Sequence, residues 1–114
     1  MTINEVQALE LLSGDRDLLK QLATIFVEDS LPLVDVFEQA IDLRDAKKAG
    51  LAIHSLKGIT ATFFAEPEVS LFASVEMAAN HLDWSRLDCA RHEVRVAVIQ
   101  IVREMFKRSL VESD

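Results

Sequence analysis

The sequence predicts an all-α protein, an antiparallel four-helix bundle with a short extra N-terminal helix. Three observations predict it. In 114 residues only Gly14, Gly50, Gly58, Pro32 and Pro67 punctuate the chain, too few turn-formers for a many-stranded β fold. Apolar residues recur at three- and four-residue spacing through four long segments. The connections between those segments are short, so consecutive helices should lie side by side and run in opposite directions.

The elements follow in order. Thr2 with Glu5 makes a capping box ahead of Val6, Leu9 and Leu12, and Gly14 stands where a helix C-terminus favours glycine, giving a short first helix. From Asp15 the positions Leu18, Leu19, Leu22, Ile25 and Phe26 keep helical spacing, which resumes at Val36, Phe37, Ala40 and Ile41. This predicts one rod, kinked or broken near Pro32. Asp45 can cap a third long helix running to about Phe64, with a core stripe of Ala49, Ile53, Leu56, Thr60 and Phe63. Pro67 suits a first helical turn, and Leu71, Phe72, Val75, Ala78, Ala79 and Leu82 make the next stripe, ending near His81. The last helix starts around Trp84 or Ser85 and carries Leu87, Ala90, Val94, Val98, Ile101 and Met105 inward. Val94, Val96 and Val98 alternate as a strand would, but the length of the segment and its helical neighbours decide for helix.

Composition bounds the function. With 50% apolar and 27% charged residues the chain is globular, and its length suits one domain over residues 1–114, burying roughly two thirds of the unfolded surface. Twelve basic against 19 acidic side chains leave a net charge of -7, which opposes nucleic-acid phosphates and anionic membranes, so neither is an expected partner. Cys89 is the only cysteine, the start MTINEVQALELL lacks a basic leader, and no apolar run approaches about 18 residues, so a reducing, cytoplasmic setting without a membrane span is expected. Cys89-x-x-His92 has no companion pair of ligands, and no metal is expected.

The third helix carries the chemistry. Taking Ile53 as zero and advancing about 100° per residue, His54 falls at about 100°, Lys57 at about 40°, Gly58 at about 140° and Ala61 at about 80°. These four share a face beside the core stripe, and Leu51 and Ala65 extend it. A mid-helix glycine costs about 1 kcal/mol against alanine, and the apolar period runs on past Gly58, so this glycine ends nothing. Room beside a reacting imidazole is one reason for it; close packing of a neighbouring helix is the other. An imidazole approached by a bulky partner needs space at i+4, and a phosphoryl group on it needs a fixed cation at i+3.

Ile53-His54-Ser55-Leu56-Lys57-Gly58 resembles the H-x-L-K-G signature of histidine-containing phosphotransfer (HPt) domains. By average composition those four fixed residues should occur by chance in a chain this long on the order of once in a thousand. Leu18 to Leu22, Phe26, Leu33, Ala40 and Asp45 resemble the family's first long helices, and Leu71, Val75 and Glu76 its positions on the following helix; the resemblance runs from about Leu9 to Phe106. The chain departs from the pattern at Ile53, where members usually have a small residue, at Phe64, where they usually have glycine, and at Glu68, commonly leucine.

The resemblance implies that His54 accepts a phosphoryl group from a phospho-aspartate and passes it to another receiver's aspartate, with Lys57 stabilising the phosphoryl charge and Gly58 giving access. Leu51, Ala61 and Ala65 are the expected docking residues. The implied partners are response-regulator receiver domains and a hybrid sensor histidine kinase, the protein itself being a monomer. The chemistry agrees, since an imidazole with a reference pKa near 6.5 is mostly neutral at pH 7 and attacks without a general base. Mg²⁺ is expected on the receiver, and no cofactor of the chain's own, for the sequence has no Gly-rich phosphate loop. A relay rather than a kinase is therefore expected. The alternative is a helical interaction module that binds receivers without being phosphorylated.

Overall fold

A computed structural model describes residues 2–112. Five helices follow one another: α1 (Glu5–Leu11), α2 (Arg16–Asp42), α3 (Ala46–Ala61), α4 (Glu66–Asn80) and α5 (Trp84–Lys107). The side chains of Asn4, Asp15, Asp45 and Asp83 cap α1, α2, α3 and α5 by accepting from the third backbone N–H beyond them. Helix α4 starts at Ala65 without a side-chain cap, with Pro67 in its first turn, where a missing N–H costs nothing.

The turns between helices are closed by left-handed residues that are not glycine. Arg44 and Leu82 take φ of 53° and 57°, and Asp45 N–H and Asp83 N–H reach back to the carbonyls of Ala40 and Ala78 at 2.8 Å each. Each aspartate thus closes one helix with its N–H and opens the next with its carboxylate, which keeps the connections short.

The four long helices form a ring in which α2 packs on α3 and α5, and α4 packs on α3 and α5. This is the antiparallel four-helix bundle, with α1 laid against α2. Leu19, Phe26 and Phe37 of α2, Ile53 and Leu56 of α3, Phe72 and Val75 of α4, and Leu87, Val94, Ile101 and Met105 of α5 fill its centre. Phe63, just past α3, meets Phe26 edge to face with ring centroids 6.0 Å apart. The Val94–Val98 stretch is helical.

The seams differ in chemistry. Between α2 and α5, Arg95 bridges Asp35 and Glu38, Arg91 pairs with Asp42, and Arg44 pairs with Asp88 while lying over the ring of Trp84. Between α3 and α4 the helices close on small residues: a Cβ on Gly50 would stand 3.5 Å from Ala79 Cβ, ordinary contact. The N-terminal segment is fastened to the far end of α5, where Glu104 accepts from Thr2 N–H, Thr2 Oγ1–H and Ile3 N–H, and Arg108 joins Glu104 to Glu5.

Several expectations are corrected. Thr2 does not cap α1, because Glu104 takes its hydroxyl; Asn4 caps instead, accepting from Gln7 N–H. The rod is not broken at Pro32. Pro32 sits on the exposed side, where water can serve the carbonyl left without a donor, while Val34 and Phe37 anchor the continuation in the core. Helix α3 stops at Ala61 rather than Phe64, which lies outside it at φ 50°. Leu82, expected in the α4 stripe, is exposed in the left-handed turn instead.

Candidate functional site

His54, Lys57 and Gly58 lie in the middle two turns of α3, anchored from beneath by Ile53, Leu56 and Thr60, all fully buried. The apolar stripe therefore fixes the rotation of the helix and turns the intervening residues outward. His54 is the most open of the polar cluster, with 65% of its side chain exposed. Its Nδ1 lies 2.8 Å from Oε2 of Glu76, which comes from α4. The second oxygen of the same carboxylate, Oε1, accepts from Lys57 Nζ at 2.7 Å. One glutamate thus holds both the imidazole and the cation.

The electrostatics fix the tautomer. The hydrogen bond from Lys57 holds the Glu76 carboxyl below its ordinary value against the opposing effect of burial, and the bond to His54 adds to it. An ionised carboxylate can only accept, so Nδ1 is the ring nitrogen that carries hydrogen, and Nε2 keeps its lone pair. Nε2 has no partner among the described residues.

Gly58, one turn beyond His54, is exposed, and a Cβ built on it meets nothing within 4 Å. The close-packing reading of this glycine is thereby removed. Leu51 and Ala61 lie exposed on the same side of α3. Ala65 does not join them: because α3 ends at Ala61, the chain turns and buries Ala65 completely at the start of α4. On the α2 side a groove of about 430 Å³ runs past the site, lined by Asp29, Pro32, Leu33, Val36, Ser55 and Ile59.

In the sequence Glu76 stands out only as a residue of the following helix, and nothing there marks the α2 wall of the groove as part of the site. Hairpin geometry carries the signal for Glu76. Gly50 meets Ala79 at the open end of the α3–α4 hairpin, and stepping one turn along each helix toward the connection brings His54 opposite Glu76. Among the described residues no three His, Cys, Asp or Glu side chains gather to hold a metal, and no helix is long and apolar enough to cross a membrane.

The protein-family model described as Hpt domain matches residues 21–108, a span that takes in His54, Lys57, Gly58 and Glu76 and leaves α1 outside. Comparison with curated proteins and with solved structures gives no match.

Proposed function

The chain belongs to the Hpt domain family, whose members carry phosphoryl groups on histidine in phosphorelays, and on that premise we propose that His54 is the phosphoacceptor and Nε2 its reacting atom. The single observation that carries this reading is the Glu76 carboxylate, which occupies Nδ1 and leaves the lone pair on the exposed nitrogen, beside the open space of Gly58.

In the transfer, Nε2 attacks the phosphorus of a receiver's acyl phosphate. The N–P bond forms, the P–O bond to the aspartate breaks, and the aspartate leaves as a carboxylate. The imidazole ring then carries a positive charge, and its Nδ1–H remains donated to the ionised Glu76, which stabilises that charge. Lys57 Nζ stands on the same carboxylate, and its positive charge offsets the negative charge of the arriving phosphoryl oxygens. Passing the group onward reverses these steps. The domain contributes alignment and charge, and Mg²⁺ with its acidic ligands is expected to arrive with the receiver. The groove between α2 and α3 beside His54 offers the apolar ground on which a receiver can seat itself, together with exposed Leu51 and Ala61.

The test is labelling from a phosphorylated receiver. The wild type should take up acid-labile, base-stable phosphate, and His54→Gln should fold normally and take up none. Binding of the receiver without labelling would instead make the protein an unphosphorylated interaction module, and label persisting in His54→Gln would move the site to His81 or His92.

A further inference from the structure

The contact between Gly50 and Ala79 lies one helical turn from the Glu76 bridge, on the same seam between α3 and α4. Gly50 stands one turn before His54 on α3, and Ala79 one turn after Glu76 on α4, so the two pairs are successive rungs between the helices. Ala79 is only 3% exposed, and a Cβ added to Gly50 would stand 3.5 Å from its methyl. The rung accepts one more methyl and nothing larger. We propose that Gly50 and Ala79 are positioning residues for His54, their small size setting the separation of α3 and α4 at which Glu76 reaches both His54 and Lys57.

Glu76 bonds Nδ1 of His54 at 2.8 Å and Nζ of Lys57 at 2.7 Å. Both oxygens belong to one planar carboxylate, and both partners stand on one helix, so a turn of the Glu76 side chain that follows one partner moves it away from the other. Extra carbons in a closely packed contact force the backbone apart. A retreat of α4 by about 1 Å takes the histidine bond out of hydrogen-bonding range. The imidazole, on its short stem, cannot follow. Lys57 can, because its ammonium rides on a flexible four-carbon chain. Bulk at this rung therefore costs the histidine its partner and leaves the lysine pair in place.

The effect of Gly50 and Ala79 on transfer rests on His54 being the phosphoacceptor. The hydrogen on Nδ1 does not: it is a property of the unphosphorylated chain and is measured without any receiver.

The experiment uses the full chain with isotopically labelled histidine, at a pH well above the reference histidine value of about 6.5. It reads the ring nitrogens of His54, assigned by their loss in His54→Gln. The wild type should carry hydrogen on Nδ1. Ala79→Leu, which adds an isopropyl group against Gly50, should give the mixture of tautomers expected of Glu76→Ala and slow transfer from a phosphorylated receiver about tenfold or more. Ala79→Gly, which weakens the helix without adding bulk, should keep hydrogen on Nδ1. Gly50→Val, at a half-exposed position, should repeat the Ala79→Leu result and decides the matter should Ala79→Leu fail to fold. Combining Gly50→Val with Ala79→Gly moves the bulk across the seam and should restore the wild-type tautomer. Hydrogen kept on Nδ1 in Gly50→Val or in folded Ala79→Leu, or lost in Ala79→Gly, would overturn the proposal. A wild type that takes up no phosphate removes the phosphoacceptor reading alone, and the tautomers still decide for or against Gly50 and Ala79.

Discussion

Nζ of Lys57 lies 2.7 Å from Oε1 of Glu76, on the neighbouring helix, so the cation nearest the phosphoacceptor is already engaged before any phosphoryl group arrives. Lys57 is poised between two anions, the fixed carboxylate and the transient phosphoryl oxygens. Replacing Lys57 by alanine should therefore slow transfer about ten- to a hundredfold, the worth of a charge-assisted contact, while receiver affinity changes much less. Single-turnover transfer rates set beside receiver dissociation constants check this, and an unchanged rate would reduce Lys57 to a structural partner of Glu76.

The same carboxylate sets the tautomer of His54. In the wild type, nitrogen chemical shifts should show hydrogen on Nδ1; in Glu76→Ala they should show a mixture of tautomers, with transfer slowed about tenfold or more because the charge-assisted bond is gone. The Glu76 carboxyl is held below its ordinary value, so the stability it contributes is present above the usual carboxylate range and is lost as pH falls through the folded value. Denaturant unfolding over a pH series should therefore show the wild type losing its stability advantage over Glu76→Ala as the carboxylate takes up its proton in acid.

At Gly58 stability and function should part. Because a Cβ there meets nothing within 4 Å, Gly58→Gln should raise stability by up to about 1 kcal/mol through helix propensity and a more restricted unfolded chain. Its side chain would nonetheless stand beside Nε2 and obstruct the approaching aspartate. Thermal midpoint and transfer rate on this one variant decide the matter: a higher midpoint with collapsed transfer is expected, and normal transfer would remove the steric role.

Glu68 gives a stability signature of opposite sign to that of Glu76. Its folded pKa is raised, so its contribution is intact below the ordinary carboxylate range and is lost as pH rises through the folded value. Glu68→Leu should be little different from the wild type in acid and more stable by about 1–3 kcal/mol at neutral pH, where the wild type keeps an unpaired buried group. Denaturant unfolding of both proteins over a pH series measures this, and a difference that does not vary with pH would contradict it.

The stripe Ala49, Ile53, Leu56, Thr60 and Phe63 was legible in the sequence because burial follows the helical period, and with it the outward placement of His54. The misread places are those where a distant residue decides. Thr2 and Glu5 match a capping box locally, yet Glu104, about a hundred positions away, competes for the threonine hydroxyl. Ala65 continues the His54 face only on a helix that does not end, and the left-handed Phe64 follows the end of α3 and precedes it. Pro32 is a break by local rule and an ordinary exposed residue once α3 and α5 brace the rod on both sides. The burial of Glu68, a glutamate on an otherwise ordinary first turn, depends on α5 closing over it.

The order of charges along the α2/α5 seam has a consequence for alignment rather than strength. Half-exposed ion pairs contribute little stability, about 0–1 kcal/mol each. Their sequence is nonetheless asymmetric: in the direction of α2 it runs Asp35, Glu38, Asp42, Arg44, and facing them on α5 stand Arg95, Arg91 and Asp88. If α5 slipped one turn in one direction, Asp88 would come opposite Asp42; in the other direction Arg91 and Asp88 would both lose their partners. Either slip is penalised, so the two outer helices keep a single height relative to each other. Helices α3 and α4 hang from them by the short turns at Arg44 and Leu82, so this vernier sets the height of the hairpin that carries His54 and Glu76.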